Sequence, residues 1–109
     1  MKVLLVEDEK PAAKRLERLI LSYNDQIIIV GKIDSVKGAI RWLSDHEPPD
    51  LIFMDIQLAD GLSFEIFEYA EVTSPIIFTT AYDEYALKAF KVNSIDYLLK
   101  PIDESELSS

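Results

Sequence analysis

Apolar positions along this chain fall into two alternating rhythms. Val3-Leu4-Leu5-Val6 is an unbroken apolar run, too short for a helix, and with Lys2 it predicts a first strand. From Pro11, placed where a first helical position tolerates proline, Ala12, Ala13, Leu16, Leu19 and Ile20 recur at helical spacing to about Tyr23. Ile27-Ile28-Ile29-Val30 is β-branched throughout and predicts a second strand. Ser35 then offers an N-cap for a helix carrying Val36, Ala39, Ile40 and Leu43, packed by Trp42 and broken by Pro48-Pro49. Leu51 to Met54 is a third strand, Asp60-Gly61 a turn signal, and a short helix passes through Phe64 and Phe67. A fourth strand runs from Pro75 to Thr79, a helix from Glu84 to about Phe90, and a fifth strand from Tyr97 to Leu99. Strands that are apolar throughout and alternate with helices predict an α/β fold, with a parallel sheet covered on both faces.

The strands end in polar chemistry. The run Leu51-Ile52-Phe53-Met54 stops at Asp55, the first at Glu7-Asp8-Glu9, the fourth at Thr80 and the fifth at Lys100-Pro101. An ionised carboxylate is costly to bury without compensation, so a strand ending in one suggests an exposed rim where the acid is used. Ligands of parallel α/β sheets bind at the carboxyl ends of the strands, near the switch in strand order. If these strands are neighbours, three acids, a hydroxyl and an amine meet at one rim. Such a set suits phosphoryl chemistry with a divalent metal.

Bulk properties narrow the field. A chain of 109 residues, 49% hydrophobic and 28% charged, fits one globular domain spanning residues 1–109. The formal charge of −9 argues against this segment holding a nucleic-acid backbone, which needs clustered Lys and Arg. The absence of cysteine excludes disulfides, thiol nucleophiles and thiolate metal sites. No apolar run approaches a membrane span and the N-terminus lacks a signal-peptide pattern, which fits a cytoplasmic protein. His46, the one histidine, follows a helix and reads as a surface residue. The three glycines form no phosphate-cradling loop, which weakens any nucleotide or flavin reading.

The chain ends with Asp103 and Glu106 spaced as in a capping box, but stops at Ser109 after little more than one turn. The expectation is a final helix beginning near 103 and cut short, in a fragment of a longer protein. A sheet face left bare in that way predicts exposed apolar surface and a homodimer, or lowered stability.

At this point the chain resembles the receiver domain of two-component response regulators over essentially its whole length. The resemblance is carried by Val6-Glu7-Asp8-Glu9, Met54-Asp55, Thr80-Ala81 and Tyr97-Leu98-Leu99-Lys100-Pro101, in that order and each at a strand end. Asp55-Ile56-Gln57-Leu58-Ala59-Asp60-Gly61-Leu62-Ser63 and Thr79-Thr80-Ala81-Tyr82-Asp83-Glu84-Tyr85-Ala86 are similar to the LytTR (LytR/AlgR-type) branch. The resemblance implies a flavodoxin-like, doubly wound fold with a five-stranded parallel sheet. It also implies a Mg²⁺ (or Mn²⁺) cofactor, a sensor histidine kinase as phosphoryl donor, and a downstream LytTR DNA-binding domain.

Residue by residue, the resemblance makes Asp55 the phosphoryl acceptor. Glu7, Asp8, Asp55 and the backbone carbonyl near Gln57 are the implied metal ligands, a supply of oxygens that Mg²⁺ accepts. Glu7 and Asp8 as mere caps of the first helix is the competing reading, and Glu9 is left as a solvated acid. Lys100 supplies positive charge to the phosphoryl oxygens, as basic residues do in phosphoryl transfer generally, and its bond to Pro101 is implied to be cis. Thr80 donates a hydroxyl, with Thr79 as the competing candidate. Tyr97 is either the switch aromatic that turns inward or plain core packing. Gln57 and Tyr82, two residues beyond Asp55 and Thr80, are implied to tune dephosphorylation, a bulky Tyr82 hindering water. Two departures stand out: Ala59 where many receivers carry Pro, which leaves that loop less rigid, and Glu7 where Asp is commoner.

The function expected is a signalling phospho-acceptor, not an enzyme, that assists its own phosphorylation and dephosphorylation. A pseudo-receiver that binds partners without phosphorylation is one alternative. A Mg²⁺-dependent phosphatase with an aspartyl-phosphate intermediate is another, but it needs an acid where Gln57 stands.

Overall fold

A computed structural model describes residues 1–80 and 94–99. Tyr82, the helix expected from Glu84, the Lys100-Pro101 bond and the short helix near Asp103 lie outside the described residues.

Among the described residues, the predicted strands and helices appear in the predicted order. The elements are β1 (Lys2–Val6), α1 (Lys10–Tyr23), β2 (Ile28–Ile33), α2 (Val36–Asp45), β3 (Leu51–Asp55), β4 (Gln57–Leu58) and β5 (Gly61–Leu62). A 3-10 turn (Ser63–Glu65), α3 (Ile66–Tyr69), β6 (Ile76–Thr80) and β7 (Ser94–Leu99) complete the described chain. Five strands form one parallel sheet in the order β2-β1-β3-β6-β7, the flavodoxin-like arrangement. From β1 the chain winds one way to β2 and the other way to β3, so a switch point opens at the carboxyl ends of β1 and β3.

Strand alternation explains how one short run feeds two cores. On β1, Leu4 and Val6 face one side with Ile52 and Met54 of β3, where Val36 and Ala39 of α2 and Ile66 of α3 cover them. Val3, Leu5 and Phe53 face the other side, beneath Leu16 and Ile20 of α1. Phe78 of β6 is wholly buried, with the rings of Phe64 and Phe67 at centroid distances of 5.4 and 6.4 Å. Burying one such large apolar side chain contributes about 1.5–3 kcal/mol. On the α1 side, an apolar opening is bordered among the described residues by Val3, Ile20, Leu51, Phe53 and Ile77.

The structure extends several predicted elements. β2 begins one residue later than the apolar run and continues through Gly31 and Lys32 to Ile33, because its backbone pairs with Leu4, Leu5 and Val6 of β1 whatever the side chains are. A register shift at Val30 absorbs one extra residue. β7 starts at Ser94, pairing Ser94 with Ile76, three residues before the run that announced it. Ser35 caps α2 as expected, its hydroxyl accepting from the Gly38 amide at 2.9 Å. His46 is exposed, and its ring stacks on half-buried Trp42 at 4.2 Å.

Gly31 suits the close passage of β2 under Trp42. A Cβ there would lie 3.0 Å from both Leu4 Cδ1 and Trp42 Nε1, closer than most packed Cβ atoms come to a neighbour, so both side chains would have to give way. Gly31→Ala is therefore expected to lower stability by about 1–3 kcal/mol through overpacking. Urea unfolding should show a lower midpoint with an unchanged slope.

Candidate functional site

Parallel pairing brings the acids together. Val6 of β1 is in register with Met54 of β3, so Glu7 and Asp8 leave β1 beside Asp55, the last residue of β3. Carboxylate oxygens of Glu7, Asp8 and Asp55 all lie within 4.8 Å of one another. The Glu7 amide donates to Ile33 O at 2.8 Å, extending the ladder to β2 by one residue. The Glu9 amide donates to Glu7 Oε2 at 3.1 Å and the Gln57 amide to Asp55 Oδ1 at 3.3 Å, so backbone groups aim both side chains.

The open rim expected from the sequence is corrected here. Glu7 is 6% exposed and Asp55 5%, with Asp8 half-buried. Beyond Asp55 the chain does not leave for solvent but turns back into the core at Ile56 and Leu58, both buried. The acids are recessed. The helix-capping role for Glu7 is also not what is seen, since Glu9 is the N-cap of α1 and makes no side-chain capping bond. Glu9 itself is exposed, as expected.

Three clustered carboxylates offer an all-oxygen donor set, and a hard divalent cation such as Mg²⁺ or Mn²⁺ fits it. Beside Glu7 and Asp8 a recess is bounded, among the described residues, by Lys10, Lys14, Lys32 and Asp34.

The segment after Asp55 carries a device that sequence reasoning missed. β4 and β5 pair as a small antiparallel hairpin, Gln57 with Leu62 and Leu58 with Gly61, around the turn Ala59-Asp60. Gly61 has φ +146°, and a Cβ there would collide with the Glu65 carboxylate, which accepts from the Leu62 amide at 3.0 Å. From the turn, Asp60 reaches the start of α2. Its Oδ1 accepts from the Val36 amide at 2.7 Å and its Oδ2 from the Lys37 amide at 3.2 Å. The Asp-Gly pair announced a turn, but no local signal announces a cap delivered from 24 residues away.

Thr80 ends β6, one position beyond Thr79, the register partner of Asp55. Thr79 is buried, and its carbonyl accepts from the Ile56 amide at 3.2 Å. Tyr97 pairs with Phe78 in β7. Tyr82 and Lys100 lie outside the described residues.

The Val36 amide, then that of Lys37 and the Lys37 charge, hold the Asp60 carboxyl below its usual 3.8, against the opposing effect of burial. A lowered folded-state pKa stabilises the fold above the unfolded value and is lost as pH falls through the folded value. The stability advantage of the parent over Asp60→Asn should therefore hold near pH 5 and shrink below about pH 4, as read by urea unfolding across that range.

Known proteins match this architecture. The response regulator receiver domain family matches residues 3–109. "Sensory transduction protein LytT" of Bacillus anthracis is 43% identical over 110 residues, covering 98% of this chain and 44% of that protein. "Transcriptional regulatory protein BtsR" of Salmonella typhi is 42% identical over 109 residues, covering 98% of this chain and 45% of its own length. The chain thus spans about half the length of these relatives. The crystal structure of the response regulatory domain of protein mrkE from Klebsiella pneumoniae superposes with a TM-score of 0.83 at 37% identity, covering 99% of this chain and 89% of that one. Among the described residues no helix is long and apolar enough to cross a membrane.

Proposed function

This chain belongs to the response regulator receiver domain family, whose members are signalling phospho-acceptors, and we propose that Asp55 is its phosphoryl acceptor. The observation that carries this reading is the convergence of Glu7, Asp8 and Asp55 within 4.8 Å at the switch point of the sheet. Glu7, Asp8, Asp55 and the Gln57 backbone carbonyl would hold Mg²⁺ or Mn²⁺. When bound, the cation supplies the positive charge that lets an anionic acceptor meet an anionic phosphoryl group.

An Asp55 carboxylate oxygen attacks phosphorus in line, forming an O–P bond as the donor's N–P bond breaks. The electron pair stays on the donor imidazole of a sensor histidine kinase. Glu7, aimed by the Glu9 amide, and Asp8 fix the cation side of the site. Lys100 balances the phosphoryl oxygens, and the Thr80 hydroxyl donates to one of them. Tyr97 responds as the switch aromatic. Gln57 and Tyr82 set how easily water reaches the acyl phosphate.

The added charge, close to −2 at neutral pH, then biases the surface around Thr80 and Tyr97. By analogy with relatives named as transduction and transcriptional regulatory proteins, the proposed output is gene regulation through a LytTR-type DNA-binding domain.

Intact-mass measurement after incubation with acetyl phosphate and Mg²⁺ tests the acceptor. A metal-dependent phosphoryl adduct is expected on the parent and not on Asp55→Asn, and should decay faster on Tyr82→Ala. A correctly folded parent without an adduct would point instead to a phosphorylation-independent interaction module. The metal has a separate check. Mg²⁺ at a hundredfold excess over its Kd should stabilise the parent by about 2.7 kcal/mol. Asp8→Asn should lose most of that gain in paired unfolding curves.

A further inference from the structure

Asp60 is not among the clustered acids, yet it closes a ring of contacts around them. The Asp55 carboxylate is bonded to the Gln57 amide, where the β4–β5 hairpin starts. The hairpin turn places Asp60 on the amides of Val36 and Lys37 at the start of α2. Three residues before Val36, Ile33 O accepts from the Glu7 amide at 2.8 Å. Glu7 returns to Asp55 through the pairing of β1 with β3. Every other join in this ring is strand pairing or a bond between near neighbours in sequence. Among the described hydrogen bonds, the Asp60 pair ties the hairpin to the β2–α2 corner, beside the burial of Leu58 in the same core as Val36.

Beyond the burial of Leu58 and the bond from the Ser63 amide to Ile56 O, the hairpin has little of its own to hold its turn. Its ladder is two residues long on each side, and an isolated pair of that size is marginal in water. Its turn carries Ala59, which does not fix φ as proline would. The Glu65 carboxylate steadies only the β5 side, through the Leu62 amide.

We propose that Asp60 is a positioning residue for the cation and acceptor site, holding the hairpin backbone at Gln57 in place by capping α2 across the site. The inference rests on the phospho-acceptor reading above, because only there does the placement of Gln57 matter to a ligand. Asp60 itself touches neither cation nor phosphoryl group.

Ser35 supplies an internal control. Its hydroxyl caps the same helix through the Gly38 amide but has no bond to the hairpin. Helix capping alone makes Asp60→Ala and Ser35→Ala equivalent; positioning separates them. Calorimetric Mn²⁺ titration and amide hydrogen exchange of residues 57–62 would be measured on the parent and both variants, with thermal unfolding alongside. Asp60→Ala should weaken Mn²⁺ binding roughly tenfold, the low end for loss of an outer support, and speed exchange across the hairpin. Ser35→Ala should lower the melting temperature while leaving both readouts near parent values. Asp60→Asn, which keeps one acceptor oxygen, should fall between, and it carries the comparison if the alanine variant does not fold. Parent-like Mn²⁺ affinity in the Asp60 variants, or equal weakening in Ser35→Ala, overturns the inference and leaves the acceptor reading standing. A parent that binds no Mn²⁺ and takes no adduct overturns both.

Discussion

The register of β1 against β3 sets Val6 beside Met54 and so brings the acids that follow them to one place at the sheet's carboxyl edge. Carboxylate oxygens of Glu7, Asp8 and Asp55 within 4.8 Å of one another put like charges close enough to repel. The cluster needs a rigid support beneath it. Leu4, Val6, Ile52 and Met54 provide this, being fully buried on the strands that end in the acids. A cation placed among the oxygens converts the repulsion to attraction, so the scaffold's burden and the site's affinity for positive charge have one origin.

Recession of the acids sharpens this. Glu7 and Asp55 are nearly inaccessible, although each stands at the end of its strand. Their chain neighbours explain it. Ile56 returns into the core straight after Asp55, and its amide bonds to Thr79 O while its carbonyl accepts from Ser63. Backbone that might have left the sheet is thus bonded back to it. Electrostatic interactions strengthen where water is scarce, so a group entering this recess meets larger forces than it would at an open rim.

Much of this was legible in the sequence, and the parts that were not share a cause. The five strands, α1, α2 and the cap at Ser35 follow from local apolar rhythm and side-chain chemistry. The meeting of Glu7, Asp8 and Asp55 follows once parallel order is assumed. Element ends were misjudged where pairing overrides side chains, as at Gly31 and Lys32 in β2 or Ser94 in β7. The hairpin escaped notice because two-residue strands have no periodicity to read. Asp60 escaped because its partners, the amides of Val36 and Lys37, are backbone groups that leave no mark in composition. The depth of Asp55 was misread for a related reason: a carboxylate signals need for a partner, not where the following residues will fold.

The way β6 is held limits what a charge at Asp55 can move. Phe78 is locked between the strands and the rings of Phe64 and Phe67, and Ile76 is buried on the same face. Asp55 is paired with Thr79, the next residue along. Sliding β6 as a unit would unpack Phe78, at a cost of the order of a large-to-small core substitution, about 3–5 kcal/mol. On the proposed reading, the body of β6 is the fixed post and its end the part that answers the phosphoryl group. On that reading the aromatic clamp from the turn and α3 would direct the response to the carboxyl edge of the sheet, where the acids stand.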